Sequence, residues 1–327
     1  MKAGKKIILF ISMAAVLLIG IIAAAIVVDR KNTASGVEGS GQSPNKPQDL
    51  KIQYDGTNYV LNENISTLLF MGIDDFGPAI SSEVYKNDGQ ADFLVLVIMN
   101  EKDKTYSLLH INRDTMTDVT ILGLNSRPAG TSYAQIATAH AYGSGLEDSC
   151  RNTTEAVSNL LGGVPVDSYL SLTMDGVAVL NDLIGGITLT VTDEFYDVPE
   201  FVPGQEVTLT GDLALKYVRS RRNAADGSNL NRMQRQQQYI ELFIDKLAEK
   251  AQDEDFALAA FDEVEQYMVT DMTINRFSEL SERINDYSFE GIETIAGEAI
   301  QGKVFIEYYV DESALEDQIV QLFFVPA

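Results

Sequence analysis

Cysteine and histidine are nearly absent from this 327-residue chain: Cys150 stands alone, and only His110 and His140 carry imidazoles. A single thiol excludes an internal disulfide and any metal centre built from several cysteines. Two imidazoles so far apart leave a histidine-rich zinc centre without ligands. Positive charge is scarce too. Against 48 acidic residues stand 24 Lys and Arg, for a formal net charge of −24. Such a surface repels nucleic-acid phosphates, and it cannot dock on anionic lipid through a broad basic face. No internal repeat is visible. The length suits one good-sized domain, or one domain with a smaller appendage, and the 45% apolar content is that of a globular protein.

Two stretches depart from this background. Residues 7–28 are 22 consecutive uncharged positions, almost all apolar, after Lys2, Lys5 and Lys6. That length spans a bilayer as a helix. The small residues Ala23–Ala25 would suit a cleaved signal peptide, but the apolar run is longer than a signal core and no polar stretch precedes a cleavage point. The expectation is a cytoplasmic tail (1–6), a transmembrane helix (7–28), a Gly, Ser, Pro and Asn-rich flexible linker (29–50) and an extracytoplasmic domain (51–327) in the cell membrane. The second stretch is Leu213–Gln238, which gathers Lys216, Arg219, Arg221, Arg222, Arg232 and Arg235 with Asp226 as its one acid. Cations crowded this way repel unless they are solvated or share an anion, and arginine is the side chain best suited to a phosphate. The bland alternative is a solvated helix face ion-paired with the acidic surface. The scarcity of acids within the run argues against it.

Between these stretches the pattern alternates strands and helices. Ser66–Ile73, Phe93–Met99 and Thr105–Ile111 read as strands, the last two as an antiparallel hairpin across 100–104. Asp74, Asp92 and Arg113 then gather at one sheet edge, where ligands of open sheets bind. Each aspartate taken singly could equally cap a strand or turn. Helices are expected over Tyr133–Tyr142, Ser149–Leu161 and from Asp175 to Gly185, with strands at Tyr169–Leu172 and Ile187–Val191 forming a crossover unit. Thr210 is expected to cap a short helix running into Arg219-Ser220-Arg221. Leu230 opens a longer helix with Met233, Ile240, Ile244 and Leu247 inward. On it Arg232, Arg235, Gln236 and Tyr239 make a polar stripe beside the apolar one. Residues 251–327 read as framework: helices near Phe256–Met268 and Ile274–Tyr287, strands near Ile292–Ala296 and Val304–Tyr309, and a last helix from Ser313. Phe305, Tyr308, Phe323 and Phe324 are expected in the core.

Six segments in order, LLFMGIDD (68–75), ADFLVLVIMNEKDKTYSLLHINRD (91–114), AHAYGSG (139–145), VSNLLGGVPVDSYLSL (157–172), LNDLIGGITLTV (180–191) and GDLALKYVRSR with NLNRMQRQQQ (211–238), resemble the LytR-CpsA-Psr family of bacterial cell-envelope proteins, over about 65–247. The resemblance implies a single α/β/α domain with a central mixed β-sheet flanked by helices. It implies a transferase that moves a glycan phosphate from a polyprenyl-pyrophosphate carrier (teichoic acid, capsule or similar) onto the C6 hydroxyl of a peptidoglycan amino sugar. By the same resemblance Asp74 and Asp92 match magnesium-associated aspartates, for Mg2+ or Mn2+. Arg113, Arg219, Arg221 and Arg232 match the arginines around the pyrophosphate, with Gln236 nearby and Asp114 as the acidic partner of the first. The chain departs from the family pattern at Phe76, Gln90 and Gln135, where cations are common, at Asn229 in place of an aspartate, and at Asn112 in place of a proline. The readings that follow are the transferase, a non-catalytic module that binds lipid-linked precursor or wall glycan, and a polyprenyl-pyrophosphate pyrophosphatase. The partners common to them are the lipid-linked glycan, peptidoglycan and the membrane.

Overall fold

A computed structural model describes residues 50–81, 89–220, 229–250, 262–272 and 287–327, together with Phe256 and Ala260. The expected transmembrane helix, most of the linker, Arg221, and the expected helix at 274–287 except Tyr287 lie outside these residues. Among the described residues no helix is long and apolar enough to cross a membrane. The chain forms two compact units.

The first unit falls within Glu38–Thr173, Met268–Met272 and Glu290–Ala327 and is built on a mixed six-stranded sheet. Its strands β3 (Ile65–Ile73), β4 (Ala91–Asn100) and β5 (Thr105–Ile111) are an antiparallel meander. Strand β8 (Ser168–Thr173) returns parallel to β3, and the short β11 (Met268–Thr270) pairs antiparallel with β8. With β12 (Ser288–Thr294) the order is β11-β8-β3-β4-β5-β12. The meander forms because its runs are almost wholly apolar, as strands covered on both faces must be. Leu69, Met71, Leu94 and Leu96 are fully inaccessible to solvent. Helix α2 (Glu147–Leu160) buries Ala156, Val157 and Leu160 in the same core and stops at Gly162-Gly163, both at positive φ. A hairpin of β6 (Met116–Leu122) and β7 (Pro128–Gln135), a second of β13 (Gly297–Gln301) and β14 (Ile306–Val310), and a three-stranded sheet of β1 (Lys51–Tyr54), β2 (Thr57–Leu61) and β15 (Phe324–Pro326) complete it. Helix α6 (Glu312–Phe323) starts at Asp311, whose side chain accepts from the amides of Ser313 and Ala314.

The second unit holds Met174–Tyr267 and, from the described residues beyond it, 287–289. Helix α3 (Met174–Leu183) ends at Gly185-Gly186, where Gly186 at φ +72 donates to Asn181 O at 2.8 Å. Strands β9 (Ile187–Thr190) and β10 (Glu206–Leu209) pair antiparallel. Helix α4 (Asp212–Arg219) packs on helix α5 (Asn229–Lys250) around Phe195, Phe201 and Tyr217, whose rings lie 4.6–5.7 Å apart.

Several expectations change. Tyr133–Gln135 are the end of β7, and only Thr138–Ala141 is helical (α1), because the β6 ladder claims residues that local pattern assigns to a helix. Strand β9 pairs with β10 and not with the six-stranded sheet, so α3 is no crossover. Thr210 does not cap α4: Gly211 holds that position without a side-chain bond, and Thr210 contributes its carbonyl to Leu213 N at 3.0 Å. The chain at 268–270 is a strand where a helix end is expected. Phe305 is 45% exposed, whereas Tyr308, Phe323 and Phe324 are core.

Candidate functional site

The sheet unit carries four of the expected residues at one edge. Strand β3 ends at Ile73 and delivers Asp74, whose amide donates to Gln90 O at 2.8 Å. Opposite, Gly72 pairs with Phe93 but Ile73 pairs with Ala91, which leaves Asp92 as the extra residue of a β-bulge. A bulge re-aims the side chain it displaces and recurs beside active sites. The bulge needs close approach, and Gly72 permits it: a Cβ there would stand 3.0 Å from Phe93 Cβ. No periodicity in the sequence reports this bulge. The glycine inside an otherwise apolar strand is the one signal that could have.

Asp92 meets Arg113, which leaves β5 two residues past its end. The guanidinium donates to Asp92 Oδ1 and to Gln90 Oε1, and its Nε lies 3.5 Å from Asp114 Oδ1. Arg113 and Asp92 are 14% and 10% exposed, while Asp114 is buried at 1%. A buried carboxylate needs donors. Gln135 supplies one, reaching Asp114 Oδ1 at 2.7 Å and Ile306 O at 2.8 Å. Asn112 accepts the Asp114 amide on its side-chain oxygen at 2.9 Å, closing the turn that a proline would close by rigidity. Gln90 and Gln135, read from the sequence as lost cations, are therefore acceptor and donor to Arg113 and Asp114. Phe76 is 56% exposed.

Behind this edge sits His140. It is fully buried, donates from Nδ1 to Gly89 O at 2.7 Å, and lies 3.9 Å from Cys150 Sγ. Burial holds its pKa down at about 4, so the ring is neutral at pH 7. Burial also pushes the Cys150 thiol up to about 12, which makes it an inert core group.

Electrostatics decide what the edge can bind. Asp92 and Asp114 flank the guanidinium of Arg113, and Asp74 and Asp75 follow the end of β3 at the same edge of the sheet. A phosphate would be repelled there without a further cation. Among the described residues no group of three or more His, Cys, Asp or Glu is placed to hold a metal. Two carboxylates at neighbouring strand ends suit magnesium, which takes one or two protein carboxylates and completes its sphere with water and phosphate oxygens. They do not suit a metal that needs an all-protein cage.

The helical unit carries Arg219, Arg232 and Gln236. Arg219 is the last residue of α4 and half-buried; Ser220 then turns extended at φ −55, ψ 127. The stripe on α5 that reads as polar in the sequence is buried: Arg232 4%, Arg235 1%, Gln236 7% and Tyr239 5% exposed. Gln236 Nε2 donates to Val218 O at 3.2 Å, and Tyr239 Oη donates to Asn181 Oδ1 at 2.8 Å. The stripe continues to buried Phe243, stacked on Tyr239 at 5.7 Å, and that continuity was its sequence signal. Arg235 is the most buried charged side chain among the described residues of the unit. The expected residues thus fall in two groups, Asp74, Asp92, Arg113 and Asp114 on one unit and Arg219, Arg232 and Gln236 on the other.

Comparison with known proteins matches residues 25–322 to the model of the LytR_cpsA_psr family. The match is wider than the 65–247 expected from motifs. The chain is 30% identical over 259 residues to the polyisoprenyl-teichoic acid–peptidoglycan teichoic acid transferase TagU of Bacillus subtilis (strain 168), covering 77% of this chain and 74% of that protein. It is 29% identical to the TagU of Bacillus licheniformis, over 80% and 78% of the two chains. The solved structure of B. subtilis TagV superposes with a TM-score of 0.58 at 25% identity, over 80% of this chain and 96% of that one. That of B. subtilis TagU gives 0.53 at 26%, with the same coverage.

Proposed function

The chain belongs to the LytR-CpsA-Psr family, and from that premise we propose that it is a membrane-anchored, extracytoplasmic transferase joining a polyprenyl-pyrophosphate-linked glycopolymer to peptidoglycan. The observation that carries the reading is the bulge that sets Asp92 against Arg113 at the edge where Asp74 ends its strand. In the reaction an acceptor hydroxyl attacks the glycan-linked phosphorus. A new P–O bond forms, the bridging P–O bond of the pyrophosphate breaks, and polyprenyl phosphate leaves with the electron pair. Such a transfer asks the protein for positioning and charge neutralisation more than for covalent chemistry.

Each residue has a part in that task. Asp74 and Asp92 would hold Mg2+ or Mn2+, which supplies the positive charge that the acidic edge lacks. Arg113, oriented by Asp92, Gln90 and Asp114, presents fixed N–H donors to a phosphate oxygen. Arg219, Arg221, Arg232 and Gln236 keep the role the resemblance implies, as donors to the pyrophosphate. Donors aimed where charge develops are each worth roughly 100-fold or more in rate. One of the two aspartates accepts the acceptor proton.

The test incubates the full chain in detergent with a polyprenyl-pyrophosphate glycan, magnesium and peptidoglycan oligomers. Polymer-linked peptidoglycan is expected, and Arg219→Ala should lower its formation roughly 100-fold with an unchanged circular dichroism spectrum. Release of free phosphorylated glycan would make the protein a pyrophosphatase. Tight binding without product would make it a non-catalytic module.

A further inference from the structure

Helix α4 ends at Arg219 without a glycine or a proline to stop it. Its last carbonyls should therefore lack partners. Lys216 O is met by Ser220 N at 3.0 Å in the helix's own pattern. Those of Tyr217 and Val218, and of Ser220 beyond the helix, are met by side chains of α5. Arg235 Nε donates to Tyr217 O at 3.1 Å, Gln236 Nε2 donates to Val218 O at 3.2 Å, and Arg235 Nη2 donates to Ser220 O. The third arm of the guanidinium, Nη1, donates to Asp193 Oδ2, and its face lies 5.2 Å from the Phe195 ring centroid. With 1% of its surface exposed, Arg235 has no solvent role. Its Nε meets Tyr217 O, the carbonyl that an amide of the next turn would meet in a longer helix. It also places a cation at the negative end of that helix's dipole.

We propose that Arg235 is a positioning residue for the transfer: its fork ends α4 after Arg219, turns Ser220 extended, and so fixes where Arg219 stands. This rests on the transferase reading only for its effect on turnover. Asp193 orients the fork, Phe195 supports its face, and neither touches substrate. A lysine cannot substitute. Its single ammonium lacks the planar set of donors that reaches Tyr217 O, Ser220 O and Asp193 together.

The experiment compares the full chain with Arg235→Lys and Asp193→Asn, and reads three quantities. The first is hydrogen exchange of the amides over 213–221. Both variants should exchange faster there, while the β3–β4–β5 amides stay at the wild-type rate. The second is the fold, followed by circular dichroism and the thermal midpoint. The third is kcat against KM in the transfer assay. Arg235→Lys should lower kcat roughly 100-fold, the scale of a misplaced catalytic group, and Asp193→Asn should lower it less. Unchanged exchange at 213–221, or a lowered midpoint with wild-type kcat per folded molecule, would overturn the inference and leave Arg235 a core residue. If the wild-type chain transfers nothing, the functional reading fails, and the exchange data still decide whether Arg235 shapes the end of α4. Should Arg235→Lys fail to fold, Asp193→Asn carries the same comparison from the partially exposed side of the pair.

Discussion

Replacing His140 with asparagine should flatten the chain's loss of stability between pH 7 and pH 4. The buried imidazole donates to Gly89 O at 2.7 Å, and burial lowers its pKa from 6.5 to about 4, against smaller upward pulls from Gly89, Asp148 and Asp75. The unfolded chain therefore takes up the proton first as the pH falls. The contribution of the neutral ring is complete above pH 6.5, declines through the interval down to about pH 4, and is gone below it. A gap of about 2.5 units at 1.36 kcal/mol per unit comes to about 3 kcal/mol. Asparagine keeps an N–H near the Nδ1 position and cannot titrate. Its variant starts less stable, since it leaves part of the ring's space unfilled, but only the change with pH matters. Urea unfolding of both proteins at pH 7, 5.5 and 4 makes the comparison, and the acid groups common to both cancel. The stability difference between them should shrink by about 3 kcal/mol from pH 7 to pH 4. A difference that stays constant across that range would refute the assignment of a buried neutral imidazole.

Two further substitutions probe the framework. Gln135→Leu removes the donor shared by buried Asp114 Oδ1 and Ile306 O, and each group left short should cost about 1–3 kcal/mol. Urea unfolding reads this loss, and a variant as stable as wild type would mean the glutamine is dispensable to Asp114. Gly186→Ala should lower the thermal midpoint more than Gly162→Ala. Both sites have positive φ, but a Cβ at Gly186 would stand 2.5 Å from Leu209 O, whereas at Gly162 it meets nothing within 4 Å. Equal shifts would show that backbone strain alone acts at both.

The sheet edge was legible because its determinants are local. Apolar runs define β3, β4 and β5, a short polar turn joins the last two, and the polar residue at each strand end then falls where the strand stops. What the sequence did not disclose depends on distant partners. Asp92 occupies a bulge because Gly72 lets two backbones approach, and Gln135 serves Asp114 from a hairpin that pattern assigned to a helix. Arg235 is the sharpest case. Helical spacing places it on a polar stripe with Arg232, Gln236 and Tyr239, beside the apolar one. Only the carbonyls of α4, the carboxylate of Asp193 and the ring of Phe195 make burial of that guanidinium tolerable.

The strand order also sets a timetable for synthesis. Strands β3, β4 and β5 are complete by residue 111, but the parallel partner of β3 arrives much later, with Leu68 opposite Ser168. At roughly 5–20 residues per second a ribosome needs on the order of 3–12 s to cover that interval. Through it the nascent chain carries one edge of its most apolar ribbon unpaired, with Leu69 and Met71 not yet covered as they are in the finished fold. Strand β11 must travel a comparable distance again to close the far side of β8. Half of the central sheet can form almost as soon as it is made, and the other half waits on the rest of the chain.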